Sequence, residues 1–136
     1  MSYQLSDLVR LMECLRDPEH GCPWDRGQTY QSIVPFTLEE AYEVSDVIER
    51  GVFDELQGEL GDLLFQVIFY ARLAEEDGRF TLDNVVEAIV TKLLERHPHV
   101  FPDATFESFG ESSGASVQTI KQTWEAKKAE ERANRG

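Results

Sequence analysis

The chain is 136 residues long, 41% hydrophobic and 29% charged, a make-up that suits one globular domain burying about two-thirds of its unfolded surface. Its formal net charge of −13 argues against nucleic acid as a partner, because phosphate backbones are bound by basic patches, and no apolar run is long enough to span a membrane. The N-terminus lacks the basic start and apolar stretch of a signal peptide, so a cytoplasmic location is expected, with Cys14 and Cys22 as free thiols.

Apolar residues recur at helical spacing along the chain. Leu5, Leu8, Leu11, Met12 and Leu15 draw one stripe and predict a first helix, which Asp17-Pro18 ends. Gly21-Cys22-Pro23-Trp24-Asp25 reads as an ordered loop. A second helical region is predicted from Thr29 to Arg50, interrupted or restarted at Pro35 and capped by Gly51. The third runs from Phe53 to Glu76, with Leu56, Leu60, Leu63, Leu64, Val67 and Ile68 as its buried face, and Asp77-Gly78 closes it. The fourth starts at Thr81 or Asp83 and carries Val85, Val86, Ile89, Val90, Leu93 and Leu94. It stops before Pro98, because the residue preceding a proline disfavours helix. Residues 102–116, rich in Ser, Gly, Asp and Glu, predict a mobile loop, and a short C-terminal helix over 117–133 follows.

The β-prone run Phe65-Gln-Val-Ile-Phe-Tyr70 continues a helical stripe without turn signals, so no strand is expected. The predicted fold is all-α, a bundle of four main helices plus the short fifth, in one domain over residues 1–136. Residues 121–136 hold five bases against three acids, which leaves −15 on the first 120 residues. That excess is either a solvated surface or a set of carboxylates gathered around a cation.

Position separates the two. Glu40 and Glu43 share one face of a helix, with Glu39 beside Glu43, and Glu59 and Asp62 share a face of the next. The residues between Glu43 and Glu59 suffice to finish one helix, turn at Gly51 and return antiparallel, so the two pairs can face each other across a groove. Four carboxylates crowded there repel unless a cation is bound. All are hard oxygen donors with no Cys or His among them, which favours magnesium, with manganese as a substitute, over zinc. A di-iron bundle would need Glu-x-x-His motifs, and none exists. The competing account of Glu39 and Glu40 is a capping box, Thr37-Leu-Glu-Glu40, serving a helix start. Glu59 and Asp62 read as mid-helix, and Gly58 and Gly61 beside them suggest close helix approach, since helical glycine costs roughly 1 kcal/mol.

Glu39-Glu40-x-x-Glu43 followed by Glu59-x-x-Asp62 resembles the signature of the all-α nucleoside triphosphate pyrophosphohydrolases. Gly21-Cys-Pro-Trp-Asp-x-x-Gln-Thr29, Leu38-Glu-Glu-Ala-Tyr-Glu43, Gly58-Glu-Leu-Gly-Asp-Leu-Leu-Phe65 and Arg96-His-Pro-His-Val-Phe101 narrow the resemblance to the MazG family, specifically its N-terminal domain. The resemblance implies hydrolysis of a nucleoside triphosphate between the α and β phosphates, giving monophosphate and pyrophosphate. By carry-over Glu40, Glu43, Glu59 and Asp62 match the metal ligands, and Glu39 becomes a candidate base. It also implies a homodimer or higher homo-oligomer, formed here through the bundle, with nucleotide-pool housekeeping as the role.

A triphosphate requires positive side chains beyond the metal. Lys92 and Arg96 are one helical turn apart, and Trp124 and Lys128 have the same spacing. Both pairs match positions that contact nucleotide in MazG-like sites. The plain alternatives are a solvated helix face for Lys92 and Arg96 and packing of the last helix for Trp124. For Trp24 packing at the bundle end is favoured over a base pocket, and for His97 and His99 structural hydrogen bonding over ligation. A second function competes with the enzyme: a regulatory or dimerisation module that binds metal and nucleotide without turnover. It draws on the likeness to one half of a protein that is often two-domain, the stretch from Glu131 reading as the start of a linker.

Overall fold

Each helix boundary has a local cause in the computed structural model, which describes residues 2–111 and 116–135. The first helix, α1 (Leu5–Leu15), opens where the Asp7 carboxylate accepts from the Gln4 N–H at 2.8 Å. After it, Asp17 Oδ2 accepts from the backbone of Glu19 and His20 at 3.0 and 2.7 Å and folds the chain tightly around Pro18. Only glycine fits at position 21, because a Cβ there would stand 2.4 Å from Leu15 O and 2.6 Å from Asp17 O. The expected ordered loop contains one turn of helix, α2 (Pro23–Arg26), with proline at its first position where no N–H is needed.

α3 (Tyr30–Arg50) starts at Thr29, whose hydroxyl accepts from Ser32 N while Ser32 Oγ accepts from Thr29 N at 2.7 Å. The helix continues through Pro35 instead of restarting there. Pro35 and Gln31 are both exposed, so solvent can satisfy the carbonyl that loses its helical donor. This removes the capping-box account of Glu40. Thr37 lies well inside α3, and its hydroxyl bonds Ile33 O at 3.2 Å rather than a helix-starting N–H. Gly51 ends α3 in the left-handed conformation, φ 71°, with the Gly51 and Val52 N–H groups returning to Ile48 O and Val47 O. A 3-10 turn, Phe53–Glu55, leads into α4 (Leu56–Glu76).

α3 and α4 run antiparallel. Tyr30 OH reaches Asp77 Oδ2 at 2.7 Å and Thr37 Oγ1 reaches Gln66 Oε1 at 3.0 Å, so the sequence numbers rise on one helix as they fall on the other. α1 packs on α4. Met12, Ile33, Ile68, Phe69 and Leu73 form the core, with Leu8, Val9, Tyr30, Phe65, Tyr70 and Leu82 packed against it. The buried face of α4 is not the one predicted. Ile68 is buried, but Leu60, Leu64 and Val67 are 48%, 43% and 42% exposed, and Gln66, Phe69, Ala71, Leu73 and Ala74 are buried instead. α4 is apolar around much of its girth, so periodicity alone admits more than one stripe, and contact with α1 and α3 selects among them.

The chain divides into two compact units, Met1–Leu82 and Asp83–Gly136. The second holds α5 (Leu82–Arg96, its first residue in the preceding unit), a 3-10 turn at Phe106–Ser108, and α6 (Val117–Arg135). The C-terminal helix is 19 residues, not short. Within the segment expected to be mobile, residues 102–111 carry that turn, where Phe101 meets Phe106 and Phe109 at 5.9 Å each and the buried Ser108 hydroxyl donates to Thr105 O at 2.8 Å. Residues 112–115 of the same segment lie outside the described residues. The described residues form six α-helices and no strand, and Phe65–Tyr70 lies within α4.

Candidate metal centre

The antiparallel pairing of α3 and α4 brings the predicted acids to one place. One carboxylate oxygen each from Glu40 on α3 and from Glu59 and Asp62 on α4 lie within 4.8 Å of one another. Glu40 and Glu59 are half-buried and Asp62 is exposed. Glu43 is not within that group, yet its charge acts on both Glu40 and Glu59. Glu39 is exposed and adds its charge to the field at Glu40.

Partial burial, and then the charges of Asp62, Glu59, Glu39 and Glu43, hold the Glu40 carboxyl above its ordinary range. Glu59 is raised in the same way, by burial first and then by Glu43, Asp62, Glu55 and Asp46. Among the described residues no ion pair reaches Glu39, Glu40, Glu43, Glu59 or Asp62. The nearest arginine on α3, Arg50, is taken up by Asp46 at 2.9 Å and Glu55 at 3.4 Å. Converging oxygen donors with no ion-paired counter-charge among the described residues suit a hard divalent cation.

Two sequence expectations about this site change. Glu59 stands in the first turn of α4, where the helix dipole favours an anion, rather than in mid-helix. Nothing lies within 4 Å of a Cβ built on Gly58 or Gly61, so these glycines do not mark close helix contact and instead leave open space beside the acids.

Lys92, Arg96, Trp124 and Lys128 all belong to the second unit. Lys92 is exposed. Arg96 is largely buried, 17% exposed, and its Nη2 donates to Glu131 Oε2 at 2.5 Å while its Nε is buried without a partner among the described residues. Trp124 Nε1 donates to Arg96 O at 2.5 Å and the indole meets the His97 ring edge-on, so packing occupies part of this side chain. Lys128 stands 3.9 Å from Glu125. His97 Nδ1 hydrogen-bonds Leu93 O at 2.6 Å, as a structural histidine does. Trp24 is 51% exposed, with its ring edge-on to Phe36 at 5.5 Å.

Helices bearing a convergent acidic site define this as an all-α protein with a candidate metal centre. A model of the MazG nucleotide pyrophosphohydrolase domain matches residues 28–101, and the chain belongs to that family. It is 52% identical over 132 residues to a nucleoside triphosphate pyrophosphohydrolase of Escherichia coli K12, covering 97% of this chain and 47% of the relative. It is 43% identical over 129 residues to the nucleoside triphosphate pyrophosphohydrolase/pyrophosphatase MazG of Thermotoga maritima, covering 95% and 46%. The chain thus spans about half the length of these relatives. The crystal structure of a mazG-related protein from Thermotoga maritima has a similar fold, with TM-score 0.71 at 21% identity over 92% of this chain and 99% of that one.

Proposed function

We propose that this chain hydrolyses nucleoside triphosphates between the α and β phosphates, releasing a nucleoside monophosphate and pyrophosphate, in cytoplasmic nucleotide-pool housekeeping. The observation that carries the proposal is the approach of Glu40, Glu59 and Asp62 oxygens to within 4.8 Å, with none of them in an ion pair among the described residues. The names of the relatives, nucleoside triphosphate pyrophosphohydrolase, support the reaction.

Glu40, Glu43, Glu59 and Asp62 would hold magnesium, or manganese in its place. When bound, the ion would neutralise phosphate charge and lower the pKa of a coordinated water. Glu39 would accept the proton of the attacking water as a new oxygen–phosphorus bond forms and pyrophosphate departs. Lys92 and Arg96 would bind phosphate oxygens and oppose the charge that develops on them. Trp124 would stack on the base, with Lys128 beside it. The exposed Leu38, Tyr42, Leu60 and Leu64 on α3 and α4 support a homodimer or higher homo-oligomer built on this face.

One observation favours a second reading, a module that binds nucleotide without turnover: Arg96 is already neutralised by Glu131. A single assay decides. Purified chain with magnesium is supplied with a panel of triphosphates in oxygen-18 water, and pyrophosphate and orthophosphate are quantified. The expected result is pyrophosphate, label in one product and no orthophosphate. Release of diphosphate and orthophosphate would refute the bond assignment, and tight nucleotide binding without any release would favour the module.

A further inference from the structure

Beneath the acids lies a polar contact that the reaction does not use. Thr37 Oγ1 stands 3.0 Å from Gln66 Oε1, 2.6 Å from Tyr70 OH and 3.2 Å from Ile33 O. Gln66 is buried, and Thr37 and Tyr70 are half-buried. The threonine hydroxyl has one hydrogen, and Gln66 Oε1 and Ile33 O only accept. That hydrogen therefore goes to these acceptors, and the Tyr70 hydroxyl donates to Thr37. The result is a directed chain, Tyr70 to Thr37 to Gln66, joining α4 to α3.

Its place along the helix pair matters. Thr37 precedes Glu40 by three residues on α3, and Gln66 follows Asp62 by four on α4, so each lies on the same helix face as its acid. Thr37 with Gln66 and Glu40 with Asp62 are successive rungs, one helical turn or about 5.4 Å apart. Metal-free carboxylates on the acid rung repel and tend to part the helices. Apolar packing is thinner there than in the core. Leu38, Tyr42, Leu60 and Leu64 are exposed, and Gly58 and Gly61 face open space, so that end has only Val47 fully buried on α3, with Val44, Leu56 and Leu63 half-buried. Hydrogen bonds with fixed direction and length are better suited than sliding apolar contacts to holding a separation.

We infer that Thr37, Gln66 and Tyr70 are positioning residues whose hydrogen-bonded brace holds α3 and α4 at the spacing that keeps Glu40 together with Glu59 and Asp62 for a divalent cation. The inference rests on the metal reading of the acids above. Groups that hydrogen-bond metal ligands directly change affinity by roughly 10- to 100-fold when removed, and the brace, which acts through helix spacing and not on a ligand, sets its effect at the lower end of that range.

The test is magnesium binding to the full chain by calorimetry, with manganese binding by electron paramagnetic resonance as a second measure. Circular dichroism verifies that each variant is folded. Thr37→Val keeps the volume, removes the hydroxyl and is expected to weaken binding of both ions by about 10-fold. Thr37→Ser restores the hydroxyl and should bind close to wild type, which general loosening of the core would not produce. If Thr37→Val fails to fold, Tyr70→Phe, lacking only the donor hydroxyl, carries the test and should also bind more weakly. Wild-type affinity in the folded Thr37→Val protein, or in Tyr70→Phe when that variant carries the test, overturns the brace. Asp62→Asn separates the two levels: if it binds magnesium as wild type does, the metal reading itself falls, whereas its loss of binding beside an unaffected Thr37→Val sinks the brace alone.

Discussion

The Arg96 guanidinium, the cation on which phosphate binding is proposed to rest, donates to Glu131 at 2.5 Å from the facing helix. The Glu131 carboxyl is held below its ordinary range, first by that hydrogen bond and also by the charges of Arg96, Lys92 and Arg135. Glu131 therefore sits among the same cations that a triphosphate would seek.

Arg96→Ala should lower catalytic efficiency by about 10- to 1000-fold if the guanidinium contacts phosphate in the transition state. Lys92→Ala should behave similarly, and the double variant should lose less than the two effects combined if both serve one phosphate group. Nucleotide affinity and turnover, measured side by side, distinguish the outcomes. A module without turnover loses affinity only, and a solvated helix face at the exposed Lys92 loses neither.

Glu59→Gln and Asp62→Asn should each abolish magnesium-dependent turnover while leaving the helical circular dichroism intact. Their thermal midpoints without metal should hold or rise, because each substitution removes one charge from a crowded group. Full activity in either variant would remove that residue from the metal set.

Glu76 predicts the opposite pH behaviour to that of the acidic cluster. Arg16 binds both of its oxygens, at 2.8 and 2.7 Å, and holds the carboxyl below its usual value, with Arg72 adding to the effect at 3.2 Å. A depressed carboxylate stabilises the fold above its unfolded pKa and loses that contribution as pH falls through its folded value. Glu76→Gln should therefore destabilise near neutral pH, by about 1 kcal/mol or less because solvent screens this exposed carboxylate, with the deficit shrinking in acid. A denaturant series across pH measures it, and a deficit that is constant with pH would contradict the pairing.

Gly58→Ala should stabilise the protein by about 0.5–1 kcal/mol, since a helical glycine has more backbone entropy to lose and its added methyl meets nothing within 4 Å. Gly61→Ala should act alike. Thermal melts give the sign. If nucleotide binding weakens while stability rises, the open space beside the acids is space the substrate uses.

Sequence alone determined the helices and the acids' faces, because both depend on spacing within a single helix. The apolar periods place α1, α4 and α5, Gly51 marks the end of α3, and residues three or four apart put Glu40 with Glu43 and Glu59 with Asp62. What the tertiary structure decided are relations between helices, which local spacing does not encode. The register of α3 against α4 sets Glu40 beside Glu59 and Asp62 while leaving Glu43 outside that group. Pro35 did not break α3, and Thr37, which resembled a cap in sequence, turned inward to Gln66 and Tyr70. On α4 several stripes were apolar enough to be buried, and contact with α1 and α3 chose Phe69 and Leu73 over Leu60 and Leu64. Arg96 and Glu131 lie too far apart in sequence for any helical period to pair them, and they meet where Trp124 also bonds α6 to the end of α5.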